Sequence, residues 1–148
     1  MKHYLDEFWQ TITAGGLPTF YLLISYLFTR IEPSINFFRI LLIFLTIEVV
    51  SAGIKFLFPT DRPNNAKRNS MLRRYTASSF PSVHSARVAA LATISYMAFP
   101  KDTYLFLIFA LLALLVGYSR IYLKMHFFRD VIAGWLLGIG IGYLGGIW

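Results

Sequence analysis

The sequence predicts an all-α fold: a polytopic membrane bundle of about five transmembrane helices, preceded by an amphipathic helix at the membrane interface. Hydrophobic residues make up 57% of the 148 residues and charged residues 14%, with a mean hydropathy of +0.59. In soluble domains charged residues are about a quarter of the chain. The apolar residues form runs separated by polar segments, and the length suits one domain, 1–148.

Residues 1–16 have the pattern of a helix that lies in the interface. Tyr4, Phe8 and Ile12 recur every four residues, whereas the charged residues lie elsewhere around the helix. Two adjacent glycines and then Pro18 end this helix and begin the first span.

Five apolar runs follow, and each is expected to span the membrane. Their expected bounds are 17–31, 35–58, 81–99, 103–123 and 127–148. The second run carries Glu48, and a carboxylate inside a membrane needs a partner. Lys55 lies two turns further along the same helix face, so we expect it to be that partner.

Glycine recurs every fourth residue in the last run. These positions are Gly134, Gly138, Gly142 and Gly146. A stripe of small residues lets a neighbouring helix approach closely, so we interpret it as packing within the bundle. A homo-oligomer is the alternative, which the stripe allows but does not require.

With five spans, the N-terminus and the polar segments 59–80 and 120–130 lie on one side of the membrane. Segment 59–80 carries one acidic residue, Asp61, and five basic residues. The basic residues are Arg62, Lys67, Arg68, Arg73 and Arg74. Its length and charge predict an active-site loop.

The net charge of +7 predicts an anionic partner such as a lipid headgroup or a phosphate group. Nucleic acid is disfavoured as a partner because the basic residues lie between apolar runs. The chain has no cysteine, which excludes disulfides and thiolate metal sites.

The segment Ser119–Asp130 concentrates groups suited to phosphate chemistry. If the chain is helical from the histidine onward, His126 and Asp130 share one face at i,i+4 spacing. The carboxylate can then fix the imidazole tautomer and leave one ring nitrogen free to attack or to take a proton. Arg120 adds a planar cationic fork that matches phosphate oxygens.

Two further blocks precede this segment. Lys55 is followed after six residues by Arg62-Pro63, and Pro81-Ser82-Val83-His84 opens the third span. The ordered set resembles the signature of the type 2 phosphatidic acid phosphatase family, K-x6-RP, then PSGH, then SR-x5-H-x3-D. Ten fixed positions match. There are two departures: Val83 stands where the family usually has glycine, and five spans stand where many members have six.

The resemblance implies a role for each matched residue. His126 would attack phosphorus and form a phosphohistidine, Asp130 would orient it, and His84 would protonate the leaving oxygen and then activate water. From the residues alone the two histidines could exchange roles. The phosphate would be held without a metal or other cofactor by Lys55, Arg62, Arg120, Ser82 and the backbone N–H of Val83.

Four more arginines are candidates for binding a lipid headgroup: Arg73, Arg74, Arg87 and Arg129. Arg87 follows His84 by three residues and lies on the same helix face. Its partner would be the headgroup or, as an alternative, a carboxylate. Arg129 could equally anchor the helix at the interface.

The resemblance therefore implies a membrane lipid phosphatase in lipid metabolism or envelope biogenesis. Its substrate would be a phospholipid or a polyprenyl or glycolipid phosphate. Undecaprenyl pyrophosphate, lipid A 1-phosphate and phosphatidylglycerol phosphate are the candidates, and the sequence does not choose among them. A lipid phosphotransferase is the alternative enzyme, and a small channel with a basic vestibule is a disfavoured alternative of another class.

Two arguments disagree about which side of the membrane the predicted site faces. Most Lys and Arg residues lie on the side of the predicted site, which by the positive-inside rule is the cytoplasm. The resemblance instead implies the outer, periplasmic face of the inner (plasma) membrane. We expect the outer face, because the charge of the substrate accounts for the basic residues.

Overall fold

The computed structural model describes residues 2–32, 34–64 and 77–146. Over these ranges the regular structure is helical, as predicted. In chain order it comprises α1 (Lys2–Thr13), a 3-10 turn (Ala14–Gly16), α2 (Pro18–Ile31), α3 (Phe37–Leu57), α4 (Val83–Ala98), α5 (Thr103–Tyr122) and α6 (Phe128–Gly146).

The helix boundaries follow from local chemistry. Pro18 occupies the first turn of α2, where its missing N–H is not needed. The side chain of Asn36 accepts a hydrogen bond from the N–H of Phe38 at 2.9 Å, and Asp102 accepts one from Leu105 at 3.0 Å. These two caps begin α3 and α5.

Helices α2 to α6 lie in the five apolar runs, with ends that differ from the expected bounds by at most a few residues, and the number of membrane spans stays a prediction. Two of them, α3 and α5, are long and apolar enough to cross a membrane. The pair Lys2–Gly16 and Pro18–Ile31 passes the same test together, bent by 53° at its break. On α1, 74% of Tyr4 and 51% of Phe8 are accessible, whereas Trp9 and Ile12 are partly buried; that this helix lies in the interface stays a prediction.

Helix α4 lies at the centre of the bundle, and the glycine stripe of α6 packs against it. The backbone of Gly134 lies against Ser82 and Ser85, and that of Gly138 against Ala86. A Cβ atom at Gly138 would overlap the carbonyl of Ala86. The stripe therefore packs within the bundle, as we interpreted it from the sequence.

Helix α6 runs antiparallel to α3 and parallel to α4. At one end of the bundle, Arg39 Nε donates to the carbonyl of Gly145 at 2.8 Å. At the other end, the N–H of Ser82 donates to the carbonyl of Asp130 at 2.9 Å. The two predicted loops therefore meet at one end of the bundle.

Candidate active site

Hydrogen bonds join the two described ends of the segment between α3 and α4, next to the start of α4. The N–H of Ser79 donates to the carbonyl of Thr60 at 3.1 Å, and its hydroxyl donates to the carbonyl of Asp61 at 2.8 Å. The N–H of Phe80 donates to Thr60 Oγ1 at 2.9 Å. These bonds hold Arg62 beside the groups at the start of α4.

The turn between α5 and α6 places His126. The N–H groups of Met125 and His126 both donate to the carbonyl of Arg120, at 3.0 and 3.1 Å. Lys124 adopts a left-handed backbone conformation (φ 53°), which reverses the chain. His126 is thereby turned inward and is 2% exposed.

Asp130 faces this imidazole from the first turn of α6. Its Oδ2 accepts a hydrogen bond from the N–H of Phe127 at 2.8 Å and lies 3.9 Å from His126 Nδ1. The helix begins at Phe128, one residue after the expected start of the last run, so His126 itself lies in the turn before the helix. The pair forms because the carboxylate caps the helix and faces back toward the preceding turn.

Three cations surround the two imidazoles. Lys55 is 4% exposed and its Nζ donates to the carbonyl of Ser78 at 3.2 Å. Lys55, Arg62 and Arg120 all act electrostatically on His126. The same three cations act on His84. The motif residues that are far apart in the sequence are thus brought to one place.

The cluster contains buried polar atoms that the described residues leave without a hydrogen-bond partner. These atoms are Arg62 Nε, Arg120 Nε, His126 Nδ1 and Asp130 Oδ1. Buried N–H donors are normally paired, so the two arginine donors are suited to an anion that binds between them.

Burial and charge set the protonation of the loop residues. Burial, together with the charges of Arg120, Arg62 and Lys55, holds the pKa of His126 far below its ordinary value. A hydrogen bond with the Ser79 backbone raises this pKa but does not outweigh those effects. The imidazole is therefore neutral at physiological pH. Burial also lowers the pKa of Arg62, an effect that Asp130 opposes.

The start of α4 supplies Ser82, Val83 and His84. The hydroxyl of Ser85 donates to Ser82 Oγ at 2.9 Å, which leaves the proton of the Ser82 hydroxyl free for an acceptor. The side chain of Val83 is 6% exposed and belongs to the apolar core cluster. The positive end of the helix dipole lies at this point.

The sequence profile of the PAP2 superfamily matches residues 36–148. The chain belongs to this superfamily. All the matched signature residues lie inside that region.

Two curated relatives match part of the chain. An undecaprenyl-diphosphatase of Sulfolobus acidocaldarius is 41% identical over 66 residues, 45% of this chain and 31% of the relative. Phosphatidylglycerophosphatase B of Bacillus subtilis is 32% identical over 112 residues, 70% of this chain and 53% of the relative. The chain therefore spans about a third and about half of the lengths of these relatives.

Two crystal structures are similar over nearly the whole chain. The transmembrane PAP2-type phosphatidylglycerolphosphate phosphatase of Bacillus subtilis matches with a TM-score of 0.79 and 26% identity, covering 96% of this chain and 75% of that one. Aquifex aeolicus LpxE matches with a TM-score of 0.76 and 27% identity, covering 96% and 85%. Together with the apolar helices α3 and α5, these matches identify an integral membrane protein.

The candidate headgroup arginines are placed differently from one another in this PAP2 fold. Arg129 is on the outside, 70% exposed, with its guanidinium over the ring of Phe127 and its Nε 3.7 Å from Asp130 Oδ1. Arg87 is buried, and its Nη2 lies 2.5 Å from Glu48 Oε1. Its partner is thus a carboxylate, which was the alternative to a headgroup. Arg73 and Arg74 lie outside the described residues.

Glu48 was expected to pair with Lys55; its charge does act on Lys55, but the ion pair it forms at short distance is with Arg87. The expectation followed the spacing within one helix, whereas packing of α4 against α3 brings Arg87 to the carboxylate. A pairing between two helices leaves no signal in the spacing of one helix.

Several residues at the site carry no sequence signal. Thr13 accepts a hydrogen bond from Arg120 Nη1 at 3.0 Å, and Gly16 lies against His84. Thr60 and Ser79 join the two ends of the loop. Their chemistry is ordinary, and only the fold brings them to the signature residues.

Metal independence stays a prediction. Over residues 2–32, 34–64 and 77–146, no three His, Asp or Glu side chains come together as a metal site. The cations that act on His126 in this part of the chain are lysine and arginine side chains, and the carboxylate beside it is that of Asp130.

Proposed function

We propose that the chain is a metal-independent membrane lipid phosphatase that works through a phosphohistidine at His126. The observation that carries this proposal is the cluster of Lys55, Arg62 and Arg120 around a buried, neutral imidazole. Cations fixed in a water-poor site stabilise the charge of a phosphoryl group in the transition state. The named activities of the two curated relatives support the same class of reaction.

In the first step a ring nitrogen of His126 attacks phosphorus. The carboxylate of Asp130, 3.9 Å from Nδ1, favours a proton on that nitrogen, so that Nε2 attacks once bound substrate replaces the hydrogen bond of the ring with the Ser79 backbone. As the N–P bond forms, the bond from phosphorus to the lipid oxygen breaks, and that oxygen takes a proton from His84, which the negative charge of the bound phosphate keeps protonated.

In the second step His84, now neutral, takes a proton from water. The resulting hydroxide attacks phosphorus, the N–P bond breaks, and inorganic phosphate is released. Arg62 and Arg120 hold the phosphoryl oxygens in both steps through the buried Nε donors. The free hydroxyl proton of Ser82 adds a third donor.

The substrate proposed is a lipid phosphate or pyrophosphate with a multiply charged headgroup. Undecaprenyl pyrophosphate and phosphatidylglycerol phosphate are supported by the names of relatives, and lipid A 1-phosphate is the third candidate. Phosphate release from each lipid in detergent micelles, with and without EDTA, tests this proposal. Release from at least one lipid that persists in EDTA is expected, and vanadate should inhibit it as a pentacoordinate phosphate mimic.

His126→Gln should abolish release, and His3→Gln provides the matched control because His3 is exposed on α1 and paired with Glu7. A phosphoenzyme formed from labelled substrate should be present in the wild type and absent from His126→Gln. Absence of phosphate release from all three lipids would contradict the proposal. Transfer of the label mainly to another lipid would instead identify a phosphotransferase.

We further propose that the site faces the outer side of the inner membrane. The chain has no cysteine, so single-cysteine variants report position without background. Asn64 and Lys101 are exposed and lie at opposite ends of the bundle. An impermeant thiol reagent added to whole cells should label Asn64→Cys and spare Lys101→Cys, whereas the reverse pattern would place the site in the cytoplasm.

A further inference from the structure

The turn between α1 and α2 contacts two of the proposed active-site residues. Thr13 Oγ1 accepts a hydrogen bond from Arg120 Nη1 at 3.0 Å. The backbone of Gly16 lies so close to the side chain of His84 that a Cβ atom at Gly16 would overlap the imidazole. Both residues precede the region matched by the superfamily profile, which begins at residue 36.

The turn is held on two sides. Arg87 Nη1 donates to the carbonyl of Gly16 at 2.7 Å, and the same guanidinium is fixed by Glu48 through Nε at 2.6 Å. From α2, the hydroxyl of Tyr21 donates to the carbonyl of Gly15 at 2.9 Å. A buried arginine with its charge paired is rigid, so the turn is fixed relative to α3 and α4.

Helix α1 is fixed against α5 at the same time. The ring of Trp9 lies 4.8 Å from that of Tyr118 and 5.7 Å from that of Tyr122. The hydroxyl of Tyr122 donates to Asp6 Oδ1 at 3.1 Å. These contacts lie one to two helical turns before Thr13, so they set where its hydroxyl is placed.

We propose that the Thr13–Gly16 turn is a wall of the active site, in which Thr13 positions Arg120 and Gly16 positions His84. The inference rests on the proposed phosphatase function. A guanidinium is planar, so a hydrogen bond from Nη1 to Thr13 fixes the direction of its remaining edge. That edge carries the buried Nε that lacks an acceptor among the described residues, and it is thereby aimed at the phosphoryl group.

Three threonine variants test the role of Thr13. Thr13→Val keeps the shape and removes the acceptor, and Thr13→Ser keeps the acceptor. Thr11→Val is the control because Thr11 is exposed and its hydroxyl donates to the carbonyl of Glu7 in the same helix. Thr13→Val should lower kcat/KM roughly tenfold and weaken vanadate inhibition by a similar factor, since it removes one hydrogen bond to a charged group. Thr13→Ser and Thr11→Val should stay within about twofold of the wild type.

A glycine pair tests the role of Gly16. Gly16→Ala pushes on the imidazole of His84, so kcat should fall at least tenfold, while vanadate affinity changes little because His84 acts as acid and base. Gly140→Ala is the control, since nothing lies within 4 Å of a Cβ atom at that position. Thermal unfolding of every variant in detergent shows whether a loss of activity follows a loss of fold.

Two outcomes separate this inference from the function it rests on. If the wild type releases no phosphate from any lipid phosphate, the proposed function is wrong. If the wild type is active and Thr13→Val matches Thr11→Val in kcat/KM and in vanadate inhibition, only the positioning role is wrong. The positioning role is also wrong if the wild type is active and Thr13→Ser is as impaired as Thr13→Val.

Discussion

His126 Nδ1 lies 3.9 Å from Asp130 Oδ2, and both side chains are buried, at 2% and 0% exposure. The distance is longer than a hydrogen bond, so an effect of the carboxylate on the imidazole would be that of its charge. The same Oδ2 accepts the N–H of Phe127. One carboxylate oxygen therefore both caps α6 and lies beside Nδ1, and we propose that it selects the tautomer of the histidine.

Asp130→Asn separates these two tasks. The amide oxygen can still accept the N–H of Phe127, so the helix cap is kept, but the negative charge that favours a proton on Nδ1 is lost. We expect kcat to fall about 100-fold or more, as happens when the orienting carboxylate of a catalytic triad is neutralised. Phosphate release under saturating substrate measures this effect.

Asp102→Asn is the matched control. Asp102 caps α5 at the opposite end of the bundle by accepting the N–H of Leu105. This variant should keep the wild-type kcat. Equal activity of Asp130→Asn and Asp102→Asn would show that Asp130 has only a structural role.

Arg62→Ala and Arg74→Ala should affect different kinetic constants. Arg62 Nε is buried without an acceptor in the described ranges, so its contact with the transferring phosphoryl group is expected to be strongest in the transition state. Its loss should lower kcat by roughly 100-fold to 1,000-fold. Arg74 belongs to the loop predicted to bind the headgroup, so its loss should mainly raise KM.

Arg30→Ala serves as the control for both variants, because Arg30 is exposed in the last turn of α2 at the far end of the bundle. Steady-state kinetics on one lipid phosphate is sufficient. A rise in KM with unchanged kcat for Arg62→Ala would place that arginine among the headgroup contacts instead.

The sequence predicted the helices and the signature residues because both leave a local pattern. Apolar runs set α2 to α6, and fixed spacings link Lys55 with Arg62 and Arg120 with His126. What it could not predict depends on packing between helices. Glu48 pairs with Arg87 across two helices, and Thr13 bonds to a residue 107 positions later in the chain.

The start of α6 is a subtler case. The i,i+4 spacing of His126 and Asp130 suggested one continuous helix, but the N–H of Phe127 is bonded by the aspartate side chain before the helix begins. An aspartate in the first turn is a capping signal as well as a charge partner. The spacing alone cannot tell these two geometries apart.

The lowered pKa of His126 predicts how stability depends on pH. Between the native pKa and the ordinary value of 6.5, the unfolded chain binds more protons than the native protein. This histidine therefore makes the native state less stable as the pH falls below about 6.5, by at most about 1.4 kcal/mol per pH unit. His126→Gln cannot take up the proton, so it should lose less stability in acid than the wild type.

Thermal unfolding in detergent from about pH 7.5 to about pH 4.5 compares the two proteins. The difference in Tm should shift in favour of His126→Gln as the pH falls. His3→Gln should follow the wild type, because His3 is exposed. Parallel curves for all three proteins would show that His126 is not held neutral in the native state.

Gly138→Ala should destabilise the bundle at the contact that places Ser82. The added Cβ atom would meet the backbone carbonyl of Ala86, which cannot rotate away as a side chain can. Overpacking of this kind costs about 1–3 kcal/mol, so Tm in detergent should fall. Because Ala86 lies one turn after Ser82, whose N–H is bonded to the carbonyl of Asp130, phosphate release should fall as well.

Gly140→Ala is the control for this prediction. It lies on the open face of α6 and should leave Tm unchanged or slightly raised, since alanine is the better helix former. Equal Tm values for the two variants would mean that α4 and α6 can separate without cost, and that the glycine stripe does not set the distance between the two halves of the site.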